Sequence, residues 1–197
     1  MKYIEAPTEY LCAGADVTLF LGGGITGCLD WQKELVGKLS TSAMTLLNPR
    51  RANWEMTPGM EEEQITWENK HLLRADAILF WFPCESLCPI ALYELGSWIF
   101  RPKTLFIGCH PEYKRKLDVE IQTKFERPKQ GIVYSLDDLA KQVLEWEAKT
   151  RTTWSRGKVP HAEPDLRWEL PDPAWQAGPT LRSVLLRSRA QPPFSFA

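Results

Sequence analysis

The sequence predicts an α/β protein, built as a doubly wound parallel sheet of about five strands flanked by helices. Five short apolar runs recur between residues 17 and 136, and a stretch with helical character follows each of them. The runs are continuously apolar rather than alternating, which is typical of strands buried on both faces of a sheet. Strand and helix that alternate five times along one chain indicate parallel strands joined by helical crossovers.

The predicted elements follow one another in a regular order. The predicted strands are VTLFLGG (17–23), MTLLNP (44–49), DAILFWFP (76–83), KTLFIGCH (103–110) and GIVYSL (131–136). The predicted helices are DWQKELVGKL (30–39), EEEQITWENKHLLR (61–74), PIALYELGSWIF (89–100), YKRKLDVEIQTK (113–124) and DDLAKQVLEWEAKT (137–150). Sheets of this class bind ligands at the carboxyl ends of their strands, so we expect the functional residues there.

The composition changes after about residue 150. Residues 1–150 form the predicted α/β domain, whereas residues 151–197 are rich in proline and arginine and show no sustained period. The segment PDPAWQAGP (171–179) has the residues of turns rather than of helix or strand interiors. We therefore predict an irregular C-terminal arm or tail. Its tryptophans, Trp154, Trp168 and Trp175, favour some docking of this arm.

The charge balance excludes partners that are held by bulk electrostatics. The chain has 24 basic and 25 acidic residues and a formal net charge of -1, which favours neither nucleic acid nor a membrane surface as partner. It contains no run of about 18 apolar residues, the length that a membrane span requires. The first residues lack the charged-then-apolar order of a secretory signal, and we expect a cytoplasmic protein.

The cysteines also indicate a reducing compartment and no structural metal. Five cysteines are odd in number and scattered along the chain. Cys84 and Cys88 have C-x3-C spacing without a second pair nearby, which is a poor zinc pattern. The three histidines do not pair at ligand spacing, so we expect no metal site.

Glu94 is a carboxylate within an otherwise apolar helix. If the segment after Pro89 is helical, Ile90, Glu94 and Trp98 share one face, and that face should be buried. An unpaired buried carboxylate is unfavourable, which suggests that the face borders a cleft. Cys88-Pro89 places proline at the first helical position, where its missing N–H is tolerated.

Glu68 is a second carboxylate in such a position. Ile65, Glu68 and Leu72 share a face of the predicted second helix, so Glu68 also falls in a stripe expected to be buried. Taken alone, either glutamate could be a salt-bridged residue at the rim of the core. Two of them near ligand-binding strand ends favour glycosyl transfer, in which one carboxylate acts as nucleophile and the other lies near the leaving group.

The loop after the first strand, LGGGITGCLDW (21–31), could contact a ligand. Gly22, Gly23 and Gly24 would let backbone approach a ligand closely, and Thr26 offers a hydroxyl group. The loop matches neither the dinucleotide-binding fingerprint nor a P-loop. A tight turn from strand to helix would also use glycines.

NPRR (48–51), after the second strand, offers polar groups at the same edge of the sheet. Asn48 could hydrogen-bond a sugar or a base, and Arg50 and Arg51 could bind a phosphate. Alternatively, both arginines are surface residues that flank a turn and bind no ligand.

Together these segments resemble the nucleoside 2-deoxyribosyltransferase family, in particular its nucleoside 2-deoxyribosyltransferase-like branch. The resemblance covers roughly residues 17–125. It rests on LFLGGGITGCLDWQ, LLNPRR, QITWENKHLLRADAILFWFP, ESLCPIALYELG and HPEYKRKLDVEIQ. It implies a flavodoxin-like, Rossmann-like fold and retaining N-glycosyl transfer without a metal or redox cofactor. The implied ligands are a nucleoside or nucleotide and a nucleobase, and the implied assembly is a homo-oligomer whose neighbours complete each site.

The resemblance also assigns roles to single residues. Glu94, within YELG, matches the nucleophile that forms a covalent 2-deoxyribosyl-enzyme. Glu68 matches an acidic residue that helps to hold the sugar and the nucleophile. Gly22 to Gly24 match the loop that closes over the ribose.

Cys88 departs from the family pattern. Transferases of the family often carry an aspartate six residues before the nucleophile, where it contacts the base and assists its protonation. A thiol cannot replace that acid near neutral pH without a strong pKa shift. Asp118 and Gln122 are possible substitutes, and altered or lost transferase activity is an alternative.

Three functions are therefore compatible with the sequence. The preferred one is transfer of the sugar to another nucleobase. The second is hydrolysis of nucleoside 5'-monophosphates, for which Thr26 and Arg50 or Arg51 would bind the phosphate. The third is a nucleotide-sensing module that has lost turnover, and a structural subunit is a weaker alternative.

Overall fold

A computed structural model describes residues 1–11, 16–52 and 59–154 of the chain. Within these residues the chain forms five helices and six strands, and the strands are all parallel and belong to one sheet. This architecture confirms the doubly wound α/β class predicted from the sequence.

Strand and helix alternate along the chain after the first two strands. The strands are β1 (Lys2–Glu5), β2 (Thr18–Gly23), β3 (Thr45–Asn48), β4 (Ala77–Phe82), β5 (Thr104–Cys109) and β6 (Ile132–Val133). The helices are α1 (Trp31–Lys38), α2 (Met60–Arg74), α3 (Pro89–Trp98), α4 (Lys116–Glu126) and α5 (Leu136–Trp154).

The strand order places a ligand-binding crevice at the middle of the sheet. The order is β1-β3-β2-β4-β5-β6, so the chain leaves β2 toward one edge and then returns to β4 on the other side of β2. Such a reversal separates the two loops that leave the carboxyl ends of neighbouring strands and opens a crevice between them. The loops after β2 and β4 therefore border the expected binding site.

The sequence did not predict β1. This strand pairs with β3 in the register Lys2↔Thr45 to Glu5↔Asn48 and forms one edge of the sheet. Its four residues are exposed or half-buried, because an edge strand needs less apolar surface than a central one. KYIE accordingly lacks the apolar run that marked the other strands.

Two hydrophobic cores cover the two faces of the sheet. One core lies beneath α2, α3 and α4, and its large members include Phe20, Trp67, Phe80, Phe82 and Trp98. The other lies beneath α1 and α5, and its large members include Leu19, Leu21, Trp31, Leu79 and Leu139. All six residues of β4 are buried, as expected for a strand covered on both faces.

The face assigned to Ile90 from the sequence was wrong. Ile90 is 65% exposed, whereas Ala91, Leu95 and Trp98 are buried. The packed side of α3 thus follows the i, i+4, i+7 spacing of these three residues. Glu94 lies between this packed side and the exposed side, and it is half-buried.

The face assigned to Ile65 was wrong in the same way. Ile65 is 65% exposed, and the buried residues of α2 are Gln64, Trp67, His71 and Leu72. Two of these four are polar, so the pattern of apolar residues placed the stripe too far toward Ile65, although Leu72 is buried as predicted. Both polar side chains are hydrogen-bonded, which makes their burial tolerable.

Two cationic side chains satisfy the carbonyl groups where helices end. The ammonium group of Lys103 donates to the carbonyl oxygens of Leu72, Leu73 and Ala75 at 2.6–2.8 Å, at the carboxyl end of α2. The guanidinium of Arg127 donates to carbonyl oxygens at and after the end of α3, those of Trp98, Ile99, Arg101 and Lys103. These bonds replace the helix partners that terminal carbonyl groups lack.

The last helix runs past the boundary that the composition suggested. α5 continues to Trp154, so the first four residues of the expected arm are helical. The rest of that arm, with Trp168 and Trp175, lies outside the described residues. Within the residues that the structure describes, no helix combines the length and the hydrophobicity that crossing a membrane demands.

Candidate active site

The loops after β2 and β4 pack against each other at the crevice. A Cβ atom at Gly23, whose φ is 146°, would lie 2.2 Å from the carbonyl oxygen of Trp81. A Cβ atom at Gly24 would lie 2.5 Å from the Sγ of Cys88. Because any side chain would collide here, only glycine lets the two loops approach so closely.

The remaining residues of the glycine loop differ in exposure. A Cβ atom at Gly22 would lie 3.1 Å from the ring of Phe80, so this glycine packs within the sheet. Thr26 is exposed at the tip of the loop, before Gly27 with its φ of 72°. The indole N–H of Trp31 donates to the carbonyl oxygen of Gly24 at 2.7 Å and fixes the base of the loop. Ligand contact by these residues stays a prediction.

Helix α3 starts at the crevice and carries Glu94. Pro89 is its first residue, as predicted, and Cys88 is the N-cap with a φ of 49°. Glu94 follows about one and a half turns later. The helix therefore holds the carboxylate close to the carboxyl ends of the central strands.

The carboxyl group of Glu94 is electrostatically unusual. Burial raises its pKa to about 8, and the negative charge of Glu68 adds to that rise. Among the described residues, no group forms a hydrogen bond or ion pair with the carboxyl group of Glu94. A carboxyl group in this state is a candidate for chemistry, because perturbed pKa values concentrate at functional sites.

Glu68 is held in place, in contrast to Glu94. The side-chain amide of Gln64 donates to Oε1 of Glu68 at 2.7 Å. Burial raises the pKa of Glu68, whereas this hydrogen bond and the positive charge of Arg51 lower it. The two glutamates come from different helices, and the negative charge of Glu68 acts on the carboxyl group of Glu94.

Gln64 links Glu68 to the loop after β3, and sequence reasoning missed it. Its amide also donates to the carbonyl oxygen of Pro49 at 2.7 Å, and its oxygen accepts from Nε of Arg51 at 2.6 Å. Arg51 in turn pairs with Glu63 at 2.8 Å. The i, i+4 spacing of Gln64 and Glu68 was the signal that could have revealed this contact.

The other predicted residues of this loop are also engaged within the protein. The amide of Asn48 donates to the hydroxyl of Tyr3, and its oxygen accepts from the backbone N–H of Arg50 at 3.0 Å. The guanidinium of Arg50 donates to Gln32 at 2.9 Å and to the carbonyl oxygen of Leu29 at 3.1 Å. Arg50 thus joins the β3 loop to the end of the glycine loop, and its phosphate-binding role stays a prediction.

Cys88 is buried beside Cys28. Burial raises the pKa of the Cys88 thiol to about 12, and the neighbouring Cys28 contributes to the rise. Both sulfur atoms face Gly24, since a Cβ there would lie 2.5 Å from one and 3.0 Å from the other. A thiol with this pKa is too weak an acid to protonate a leaving base near neutral pH.

The possible substitutes for that acid lie elsewhere. Asp118 and Gln122 are both exposed on α4, and Asp118 pairs with Arg115 at 3.4 Å. None of the contacts found among the described residues joins either side chain to Glu68 or Glu94. A protonating role for Asp118 or Gln122 stays a prediction without support from these contacts.

Within the described region, the side chains that are grouped closely enough to hold a metal ion are separate from the glutamate pair. Cys84, His110 and Glu112 form a group whose ligand atoms all lie within 4.8 Å of one another. Neither Glu68 nor Glu94 belongs to such a group among the described residues.

The fold and the site together define a class of protein. A doubly wound parallel sheet with two interacting carboxyl groups near its central crevice is suited to bind a small ligand and to act on it by nucleophilic or acid–base chemistry. Both glutamates and the glycine loop belong to one continuous part of the chain.

That part of the chain identifies the family. Residues 16–113 match the family described as nucleoside 2-deoxyribosyltransferase like, and through them the chain belongs to this family. The matched region begins just before β2 and includes Glu68, Glu94 and Cys88. The family is associated with enzymes of nucleoside deoxyribosyltransferase type. No curated protein matches the chain.

Proposed function

We propose that the protein is a retaining N-glycosyltransferase that moves the sugar of a nucleoside or nucleotide to another nucleobase, with Glu94 as nucleophile. The observation that carries this proposal is the environment of the Glu94 carboxyl group. Its carboxyl group is half-buried at the crevice, makes no hydrogen bond among the described residues, and interacts with the charge of Glu68. A nucleophile that must attack a sugar carbon needs both a fixed position and free oxygen atoms.

The reaction would proceed in two displacements. In the first, an ionised Glu94 oxygen bonds to the anomeric carbon as the N-glycosidic bond breaks, and the bonding electrons leave with the base, which gains a proton. In the second, a nitrogen of the acceptor base attacks that carbon and loses its proton, and the carboxylate of Glu94 departs. Two inversions give net retention.

Glu68 would hold the sugar and set the acidity of Glu94. The hydrogen bond from Gln64 fixes one oxygen of Glu68, which leaves the other free to accept a sugar hydroxyl group. The negative charge of Glu68 favours the protonated form of Glu94 in the absence of substrate. The cationic character that develops on the sugar in the transition state then favours ionisation of both groups.

Hydrolysis is the second candidate, and Cys88 favours it. Since the thiol is too weak an acid to assist the base, recognition of the base at this position must differ from that of the transferases that the sequence resembles. A site with weak base binding passes the sugar to water more readily than to an acceptor base. Arg50 and Thr26 would then bind the 5'-phosphate of the substrate. The remaining alternative is a sensing module without turnover.

The proposed assembly is a homo-oligomer in a reducing compartment such as the cytoplasm. Large apolar side chains are exposed on α3 and α4, and we name this set the α3–α4 surface: Ile90, Tyr93, Leu117, Ile121 and Phe125. A second copy of the chain that covers these side chains would remove their apolar surface from water. The cysteines of the described region are free thiols, which suits a reducing environment.

The proposal is tested by incubating the purified protein with 2'-deoxynucleosides and their 5'-monophosphates, with and without an acceptor base. Chromatography then separates free bases from new nucleosides. A new nucleoside that forms only when acceptor is present supports transfer. Release of base from monophosphates alone, unaffected by acceptor, supports the hydrolase. If none of the substrates gives a product, both the transferase and the hydrolase are contradicted, and the sensing module remains.

A matched pair of variants assigns the activity to the site. Glu94→Gln keeps the size of the side chain and removes its charge, and Glu61→Gln makes the same change at an exposed position of α2. We expect loss of activity only in Glu94→Gln, by at least about a thousandfold, the scale for removal of a covalent nucleophile.

A further inference from the structure

A second group of reactive side chains lies at the carboxyl ends of β4 and β5, outside the glutamate pair. Cys84 is the second residue after β4, and His110 follows β5 directly. The two strands are paired in register, with Phe82 opposite Cys109, and the backbone N–H of His110 donates to the carbonyl oxygen of Phe82 at 2.9 Å. The sheet itself therefore brings these side chains together, although 25 positions separate them in the sequence.

The geometry of the group is close to that of a metal site. One ligand atom each from Cys84, His110 and Glu112 lies within 4.8 Å of the other two. A tetrahedral zinc ion with bonds of about 2.0–2.3 Å separates its ligand atoms by roughly 3.3–3.8 Å. Rotation of the exposed Glu112 and the half-buried Cys84 side chains is enough to close this difference.

The chemistry of the group selects the kind of metal. A thiolate, an imidazole nitrogen and a carboxylate oxygen together suit a borderline ion such as Zn²⁺, whereas Mg²⁺ and Ca²⁺ prefer oxygen ligands alone. The carboxylate of Glu85 lies 3.8 Å from the Sγ of Cys84 and adds a further negative charge. Three protein ligands with a fourth position open to solvent is the pattern of zinc sites that bind an exchangeable ligand.

We propose that Cys84, His110 and Glu112 bind Zn²⁺, with water or Glu85 in the fourth position. The ion tethers the loop after β4 to the loop after β5. The first of these loops, residues 83–88, leads directly into the helix of Glu94, so the site borders the crevice without including the glutamates. The inference is independent of the proposed glycosyl transfer.

The ring of His110 is already oriented within its loop. Its Nδ1 accepts the backbone N–H of Glu112 at 3.2 Å, a long hydrogen bond. Metal binding at Nδ1 replaces this bond, and binding at Nε2 moves the ring proton to Nδ1. Either route breaks one weak contact and forms a metal bond in its place.

The site is tested by metal titration of the reduced, chelator-treated full chain. Co²⁺ reports thiolate ligation through its charge-transfer absorption, and competition by Zn²⁺ gives the relative affinity. We expect one equivalent to bind with a thiolate signal. Cys84→Ser and His110→Ala should each weaken binding by at least about tenfold, the lower bound for loss of a group that supports a metal site.

Two control variants test whether the thiolate signal of the bound metal comes from Cys84. Cys28→Ser removes a thiol that lies near Cys88, and His161→Ala removes a histidine outside the described residues. Both should bind metal with unchanged affinity. Thermal unfolding of each metal-free variant shows that it is folded, and Zn²⁺ should raise the unfolding temperature of the unmodified chain more than that of Cys84→Ser.

Three results overturn the inference. They are the absence of a thiolate signal in the unmodified chain, equal affinity in folded Cys84→Ser, and loss of binding in Cys28→Ser instead. The last result would instead assign the metal site to Cys28 and Cys88.

Discussion

Glu94 is a carboxyl group that its surroundings keep largely protonated at neutral pH. With a pKa of about 8, only about a tenth of the molecules carry an ionised Glu94 at pH 7. In the proposed mechanism Glu94 must be ionised to act as the nucleophile, so most of the free protein would be in an inactive form at that pH. The ionised fraction grows as the pH rises through 8.

The first prediction is the pH dependence of kcat/KM. It should rise from about pH 6, reach half its maximum near pH 8 and level off above about pH 9, because the free protein loses the proton from Glu94 over this range. Glu68→Gln removes the negative charge that helps to raise the pKa of Glu94, so the inflection should move to lower pH. Initial rates of base release measure both. An inflection at the same pH in the two proteins would contradict the interaction between the glutamates.

The second prediction concerns Cys88. Cys88→Asp places a carboxyl group where the family pattern has one, and aspartate tolerates the positive φ of this position. If base protonation limits the rate, transfer should increase by at least about tenfold, the low end of general-acid effects.

Cys88→Asn is the matched control for this substitution. It has nearly the same shape as the aspartate and cannot donate an acidic proton. Equal rates in folded Cys88→Asp and Cys88→Asn would show that an acid at this position does not limit the reaction.

The sequence predicted the two glutamates but not the network around them. Glu94 and Glu68 stood out because each interrupts an apolar helical pattern. Gln64 and Cys28 did not, since their roles depend on partners brought close by the fold: Arg51 and Pro49 for Gln64, and Cys88 for Cys28. Such contacts leave no periodic signal in the sequence.

Among the elements, prediction succeeded for the strands that carry a continuous apolar run, including β6 at the other edge of the sheet. The five strands that were predicted have an apolar run, and β4 is buried along its whole length. β1 was missed because an edge strand with exposed residues lacks that run. The helix faces of Ile65 and Ile90 were misassigned because each helix offers two adjacent stripes, and the partner surface decides which one is buried.

The third prediction concerns the end of α3. Arg127→Ala removes the donors to four carbonyl oxygens and should lower the free energy of unfolding by about 2–4 kcal/mol. Lys124→Ala, at an exposed position of α4, should change it by less than about 0.5 kcal/mol. Urea denaturation measures both. A loss for Arg127→Ala no larger than that of the control would show that water satisfies these carbonyl groups equally well.

At the scale of the whole molecule, the α3–α4 surface is the feature that the isolated chain does not explain. Tyr93 is 75% exposed and Phe125 is 74% exposed, although both are large and apolar. They belong to helices on the same face of the sheet. Glu94 follows Tyr93 directly, so a partner on this surface would also border the proposed active site.

The fourth prediction is that charges on this surface break the assembly. The double variant Tyr93→Lys, Phe125→Lys should shift the mass in solution to that of one chain, because two buried lysines are unfavourable in an interface. Ile65→Lys and Leu29→Lys, at exposed positions outside the surface, are the controls. Light scattering coupled to size exclusion gives the mass. An unmodified chain that is already a monomer, or a double variant that remains assembled, would contradict the prediction.

The central claim, that Glu94 bonds covalently to the sugar, is tested most directly by mass spectrometry. The protein is mixed with a 2'-deoxynucleoside without acceptor, quenched in acid and digested, and the peptide that contains Glu94 is weighed. We predict that this peptide gains the mass of one 2-deoxyribosyl group in the unmodified protein and in Glu61→Gln, but not in Glu94→Gln. Base release by the unmodified protein without this adduct, or an adduct on another residue that persists in Glu94→Gln, would contradict the assignment.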